Sequence, residues 1–435
     1  MSVVGGARPE DNQTDTYLKR TRYTTFSSLP SDCSAEMVSL FASDGAETRG
    51  MLYIPAGASR TVVCFSHPRV DVQRHFQIRH FLDAGYAVFA HNSRWLGNDV
   101  ATTHEHLLLD IAAAMRHLRD ERGFDHVVLL GTSGGGSLYG FYQAQAATPP
   151  EQRLRDLPSG ESIDLPGEDM PGADGIILSA AHTGQGKLLG RIIDPSVVDE
   201  GDPITVDPAL DMFDPANGFR ERPEESRYPA EFLQAYRAAQ HERVRRLDVL
   251  ARAAVAEQRR YQAMLTEPGV ERLSGRARAE ITRRAVAAKY MVVYRTTANP
   301  AYLDLRIDAS DRVQGGIWST RPEVDNFGEW GLARLVTPRA WLSTWSAISS
   351  RASLVDNAAA LDIPCLVTAG TADRDIYPSD CQAVHDAVPH ADKTLILVEG
   401  ADHYLLPSGR RGTGKDTRAE SADHVQKWMR ERFPV

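Results

Sequence analysis

Short apolar runs alternate with helical stripes along much of the chain. Residues 127–130 form a continuous apolar run stopped by Gly131, the pattern of a strand buried on both faces. Beyond Gly136, the residues Leu138, Phe141, Tyr142 and Ala144 resume at helical spacing. Residues 61–66 and 86–90 read as further strands, and 36–40 and 48–54 flank Ser43-Asp44-Gly45 as a hairpin. Residues 72–82 read as a helix. So do residues 104–119, with Leu107, Leu108, Ile111, Met115 and Leu118 on one stripe. Gly175–Ser179 is the last strand before the pattern stops.

For about 160 residues no strand–helix alternation follows. Residues 181–223 are loop-like and rich in Asp, Pro and Gly, and 229–265 predict one long helix or two joined ones. On it Leu233, Tyr236, Val244, Leu247, Ala251, Ala254, Tyr261 and Leu265 keep to one stripe, broken only by Gln240 and Gln258, and its Arg and Glu residues read as a solvated face. A second helix is expected over 274–293, and Trp318, Trp330, Trp341 and Trp345 are expected to pack this segment onto the main domain. Alternation resumes with a strand at 364–370, a helix at 379–387, a strand at 394–398 and a closing helix at 417–433. The fold class is therefore α/β: a doubly wound, mostly parallel sheet with a large, mainly helical insertion. The expected division is an N-terminal arm at 1–35, a core at 36–180 and 346–435, and a lid at 181–345.

Composition changes this picture little. The 435 residues are 42% hydrophobic and 25% charged, ordinary for a globular protein, and a net charge of −9 gives a nucleic-acid partner no electrostatic support. Cys33, Cys64, Cys365 and Cys381 show no metal-ligand spacing and read as free thiols in a reducing compartment. No secretory leader and no apolar run near the roughly 18 residues of a membrane span is seen. A cytoplasmic protein without membrane association is expected.

The candidate chemistry centres on Gly131-Thr132-Ser133-Gly134-Gly135, a G-x-S-x-G between strand and helix. A nucleophilic serine must project from a sharp turn, and side chains in place of the flanking glycines would collide across it. The N–H of Gly134 would face a developing oxyanion at the helix N-terminus. A phosphate-cradling turn is the competing reading, but no Lys follows the glycines and the G-x-G-x-x-G spacing is missed. Asp373 and His403 follow at the ends of the next two strands, in the order Ser…Asp…His.

With Gly131-Thr-Ser-Gly-Gly135, Gly370-Thr-Ala-Asp373 and Gly400-Ala-Asp-His403 in place, the chain resembles the α/β-hydrolases over roughly residues 36–180 and 350–435. The 52–55 strand end and the Ser66-His67 loop fit as well. The resemblance implies Ser133 as nucleophile, His403 as general base and Asp373 as the orienting acid, with Asp375 as the fallback acid. Asp402 reads as a loop residue bonded to backbone. One departure stands out: the family's usual His-Gly after the third strand is His67-Pro68 here, and Pro68 has no N–H. The oxyanion hole is assigned to the N–H groups of Gly134 and Arg69. The Arg69 side chain could meet a substrate anion or a surface carboxylate.

His67 and Trp95 are candidates for the substrate pocket, with Ser93 and Arg94 beside Trp95. Of His67, His75, His80 and His91, one or two at most are expected to touch substrate. His104 and His106 point apart on a helix, so no metal site is expected there. Asp207, Asp211, Asp214 and Asn217 read as capped turns rather than a calcium loop. The resulting expectation is a cofactor-independent serine hydrolase acting on a small to medium, partly apolar ester, lactone or thioester through an acyl-enzyme. Peptide-bond or C–C hydrolysis by the same triad, and a non-catalytic ligand receptor, are the alternatives. The only partner implied is a small-molecule substrate, and exposed lid helices could pair two subunits as a dimer.

Overall fold

The computed structural model describes residues 28–317, 321–328, 331–409 and 414–435. Residues 1–27 of the expected arm, and Trp318 and Trp330, lie outside the described residues. Eight strands build one sheet: β1 (Ser34–Phe41), β2 (Glu47–Ile54), β3 (Thr61–Phe65), β4 (Ala87–Asn92), β5 (His126–Thr132), β6 (Gly175–Ser179), β7 (Cys365–Gly370) and β8 (Lys393–Val398). Their order across the sheet is β1-β2-β4-β3-β5-β6-β7-β8. The hairpin β1–β2 and the β2–β4 pair are antiparallel, and all other pairs are parallel.

The central strands are apolar throughout because both faces are covered. Along β5, Val127 and Leu129 point into one core while Val128 and Leu130 point into the other. The first core is roofed by α2 (His104–Arg116) and α3 (Gly134–Ala147), and the second by α1 (Ile78–Asp83) together with the C-terminal helix Thr417–Arg430. Only the last part of the expected 72–82 helix forms. The Val72 N–H donates to Asn92 Oδ1 at 2.9 Å and the Gln77 N–H to His75 Nδ1 at 3.3 Å, so side chains take up backbone groups a helix would pair internally.

The long β6–β7 connection holds α4 (Gln185–Ile192), α5 (Ala230–Thr266), α6 (Gly275–Val286) and extended irregular stretches. The reading of 229–265 as a helix matches α5, a single 37-residue helix. The reading of 274–293 runs too far. The Ser274 side chain caps the Ala277 N–H as expected of a helix start, but the chain leaves the helix after Val286 and pairs Met291–Val292 against Leu335–Val336. Trp341 and Trp345 flank a segment that meets the main domain as expected: Thr344 Oγ1 donates to the Thr102 carbonyl at 2.7 Å, and the Trp345 ring lies 5.7 Å from the Arg69 guanidinium. Both tryptophans also complete an apolar cluster of the connection itself, with Leu189, Tyr236, Val244, Leu247 and Tyr302.

Polar ties dock the connection onto the sheet domain. Arg191 makes a bidentate pair with Asp380 at 2.8 and 3.0 Å, Asn299 Nδ2 donates to the Tyr377 hydroxyl at 3.2 Å, and Tyr302 donates to Asp375 Oδ1. Ser343 Oγ donates to the buried Glu105, whose pKa burial pushes up to about 7.

Two polar residues on the stripe of α5 are structural. Gln240 Nε2 donates to the carbonyls of Arg191 and Ile193 at 2.9 and 2.8 Å. Arg243, read with the solvated face, is fully buried and pairs with Glu200 at 2.7 Å while donating to the Asp194 and Tyr294 carbonyls. Those carbonyls lie in irregular chain with no helical partner, and the guanidinium's several donors collect them at once. Arg243→Met should therefore lower stability by about 3 kcal/mol, measured by urea unfolding, because it leaves two buried carbonyls unpaired, while Glu200 keeps Arg246 at 3.2 Å.

Candidate active site

Ser133 stands between β5 and α3 with φ 55° and ψ −119°, a conformation that non-glycine residues adopt only under constraint. The constraint is crowding. A Cβ on Gly131 would lie 2.4 Å from the Gly135 carbonyl carbon, one on Gly135 2.3 Å from the Ser66 carbonyl oxygen, and one on Gly136 2.3 Å from Ala181 Cβ. The turn is thus pressed against the loops after both neighbouring strands. The Ser133 N–H is held by the Ser179 carbonyl of β6 at 3.1 Å. Gly134 opens α3, whose first N–H groups lack helical partners and carry the positive end of the helix dipole.

His403 and Asp373 meet in a buried pair. His403 Nδ1 lies 2.7 Å from Asp373 Oδ2, and Asp373 is fully buried. The other oxygen of Asp373 accepts the N–H groups of Asp375 at 3.0 Å and Ile376 at 3.1 Å, so the carboxylate is fixed on both sides. Burial opposes a charged His403. The charge and hydrogen bond of Asp373, helped by Asp375 and Asp402, outweigh it and raise the imidazole pKa above the ordinary 6.5. Asp375 faces elsewhere, toward the Tyr302 hydroxyl and the Ile317 N–H, and burial raises its pKa. Asp402 Oδ1 accepts the N–H groups of Tyr404 and Leu406, both at 2.9 Å, within its own loop.

Ser133 and His403 both line a cavity of about 230 Å³. Its apolar lining comes from Phe65, Val70, Val72, Phe76 and Leu130 of the sheet domain, with Ile317 the described contribution of the β6–β7 connection. The segment that failed to become helix, 72–77, is thus a cavity wall. His67 and His75 line the cavity as well. His91 instead bonds Thr48 at 2.8 Å, and His80 is absent from the lining.

Several sequence candidates stand apart from this centre. Trp95 is not part of the lining; it packs edge-on to His106 with the rings 5.8 Å apart. Its neighbours are also occupied: Ser93 Oγ donates to the Pro68 carbonyl and Arg94 pairs with Asp110. The Arg69 N–H, assigned to the oxyanion hole, donates to His67 Nδ1 at 3.2 Å, because the tight turn at Pro68 folds the imidazole back over it. The Arg69 side chain pairs with Asp99 at 2.7 Å and lies 5.7 Å from the Trp345 ring. Asp207, Asp211 and Asp214 each accept an N–H two residues on, forming the expected capped turns.

Two residues of the centre were missed in the sequence, His182 and Gln185. Their side-chain nitrogens approach the space above Gly134, at 3.3 and 2.8 Å from where a Cβ would stand. His182 follows the carboxyl end of β6, the same kind of position that singled out His403, and could have been found by that rule.

The strand order, the parallel centre and the strained serine turn at the end of β5 define the α/β-hydrolase fold. Among solved structures, DcsB in complex with its substrate analogue is similar at 12% identity, with a TM-score of 0.50, over 92% of this chain and 100% of that one. Alignments also cover the α/β hydrolase GrgF from Penicillium sp. sh18 (11% identity, TM-score 0.46, 92% of this chain and 99% of that one) and Est1E from Butyrivibrio proteoclasticus (11%, 0.44, 91% and 98%). No protein-family model and no curated protein matches the sequence.

The glycine packing can be tested directly. Gly135→Ala drives a methyl into the Ser66 carbonyl and should cost about 1–3 kcal/mol in a denaturant titration, with the Ser133 turn displaced in a crystal structure of the variant.

Proposed function

We propose that the protein is a serine hydrolase of carboxylic esters, a class that here includes lactones and thioesters, working through an acyl-enzyme on Ser133. The observation that carries this reading is that Ser133 and His403 line one cavity. A serine in a strained turn at a helix N-terminus faces the same space as a histidine whose far nitrogen is held by a buried carboxylate. In that arrangement His403 takes the Ser133 proton as the hydroxyl attacks and returns it to the leaving group. Asp373 holds the imidazole in the tautomer that leaves Nε2 free to accept, and stabilises the cation that forms. The Gly134 N–H is the first oxyanion donor. Protein groups supply all of these roles, so the acyl transfer calls for no cofactor. The apolar lining and modest volume of the cavity favour a small to medium, partly apolar acyl group.

Treatment with a fluorophosphonate, followed by intact-protein mass spectrometry, should give a single adduct on the wild-type protein and none on Ser133→Ala. The same variant should lose hydrolysis of p-nitrophenyl butyrate while unfolding at the wild-type temperature. A wild-type protein that takes no adduct would end the serine reading.

The pH profile follows from His403. Only its neutral form accepts the serine proton, and its pKa in the fold lies above 6.5. Activity should therefore rise with pH along a limb whose midpoint is above 6.5. The stability contributed by the His403–Asp373 pair runs the other way, complete below 6.5 and lost as pH climbs through the raised value. Asp373→Asn should move the activity limb down and reduce kcat on the order of 10⁴-fold, measured by steady-state kinetics across pH.

A further inference from the structure

The loop after β3 offers Gly134 no free N–H at residues 68–70. Pro68 has none. The N–H groups of Arg69 and Val70 both donate to His67 Nδ1, each at 3.2 Å. A nitrogen that accepts two N–H groups carries no proton, so the neutral imidazole of His67 bears its hydrogen on Nε2. That Nε2 lies 2.9 Å from where a Cβ on Gly134 would stand, beside the backbone of the residue after the nucleophile. Of the three side chains crowding this space, His67, His182 and Gln185, only His67 also lines the cavity shared by Ser133 and His403.

We propose that the His67 side chain, through Nε2–H, is the second oxyanion donor, replacing the backbone N–H that the His67-Pro68 loop withholds. This assignment rests on the serine-hydrolase reading above. As Ser133 Oγ bonds to the acyl carbon, its proton passes to His403 and the carbonyl electron pair moves onto oxygen. That oxygen accepts hydrogen bonds from Gly134 N–H and His67 Nε2–H, and both donors keep their protons. When the carbonyl re-forms, the leaving group departs with the proton from His403. Water then repeats the sequence on the acyl-enzyme.

The surroundings suit a neutral donor. Burial first, then the charge of Arg69, hold the His67 pKa well below 6.5, and protonation of the nearby His182, His75 or His104 would press it lower still. Its hydrogen bond to the oxyanion is therefore available at every pH at which His403 can act as a base. His182 is built alike: its Nδ1 accepts the Gly184 N–H at 3.1 Å and burial lowers its pKa to about 3.

Two substitutions separate donation from loop anchoring. His67→Asn keeps an acceptor near Nδ1 for the Arg69 and Val70 N–H groups but withdraws the donor at Nε2. His67→Gln keeps an N–H near Nε2 and weakens the anchor. The readout is the rate of fluorophosphonate adduct formation at Ser133, with thermal unfolding recorded for each variant. A donor role predicts that His67→Asn slows labelling on the order of 10²–10³-fold while His67→Gln stays within about tenfold of wild type. The reverse order, or an Asn variant that labels at the wild-type rate, overturns the assignment while leaving the serine reading intact. Absence of any adduct on wild-type Ser133 overturns both.

Discussion

The close contact between the Ser133 turn and the two loops beside it governs the geometry of this site. Gly131, Gly135 and Gly136 leave no room for a single methyl against the turn itself, the Ser66 carbonyl and Ala181. Three strand ends, of β3, β5 and β6, are locked to one another at that point. Because two of these contacts are against backbone and the third is against the Ala181 methyl, which has no rotamer to change, side-chain repacking cannot relax the lock, and the strained conformation of Ser133 persists. His67 and His182 enter the site as parts of the loops pressed against the turn.

The site sorts its ionisable groups by the partners each is given. Asp373 is fixed by His403 and two N–H groups, whereas Asp375, two residues on, turns to a tyrosine hydroxyl and a backbone N–H of the β6–β7 connection. Among the histidines, His403 has carboxylates for neighbours and is inclined to take a proton. His67, His75 and His182 are buried beside cationic or other imidazole groups and are inclined to stay neutral. Of the imidazoles lining the cavity, His403 is thus the one inclined to take a proton, while His67 and His75 stay neutral.

Much of the sheet was legible in the sequence because strands buried on both faces leave unbroken apolar runs, as in β3, β5 and β7. Residues at the ends of those strands, Ser133 and His403 among them, could be picked out by the same rule. Choices settled by a few ångströms in three dimensions could not. Asp373 and Asp375 share one loop and one composition, and only the position of Tyr302 separates them. Residues 72–82 have helical periodicity, yet Asn92 and His75 intercept backbone groups before a helix can form. The engagement of the Arg69 N–H depends on an imidazole two residues earlier folding back across a proline turn. Trp95 follows a strand just as His67 does, but its loop leads to His106 rather than to the cavity.

The loop from Asp373 to Asp380 is held jointly by the sheet domain and the β6–β7 connection. Its first carboxylate orients His403, while Asp375, Tyr377 and Asp380 are gripped by Tyr302, Asn299 and Arg191. The connection therefore cannot swing clear as a hinged flap without pulling on the segment that aims the histidine. The same shared loop makes the connection a poor module for exchange. A foreign segment grafted between β6 and β7 would leave Asp375 and the Tyr377 hydroxyl without these partners and Asp380 with only the Tyr377 N–H, and would disturb the histidine before it altered what the cavity admits.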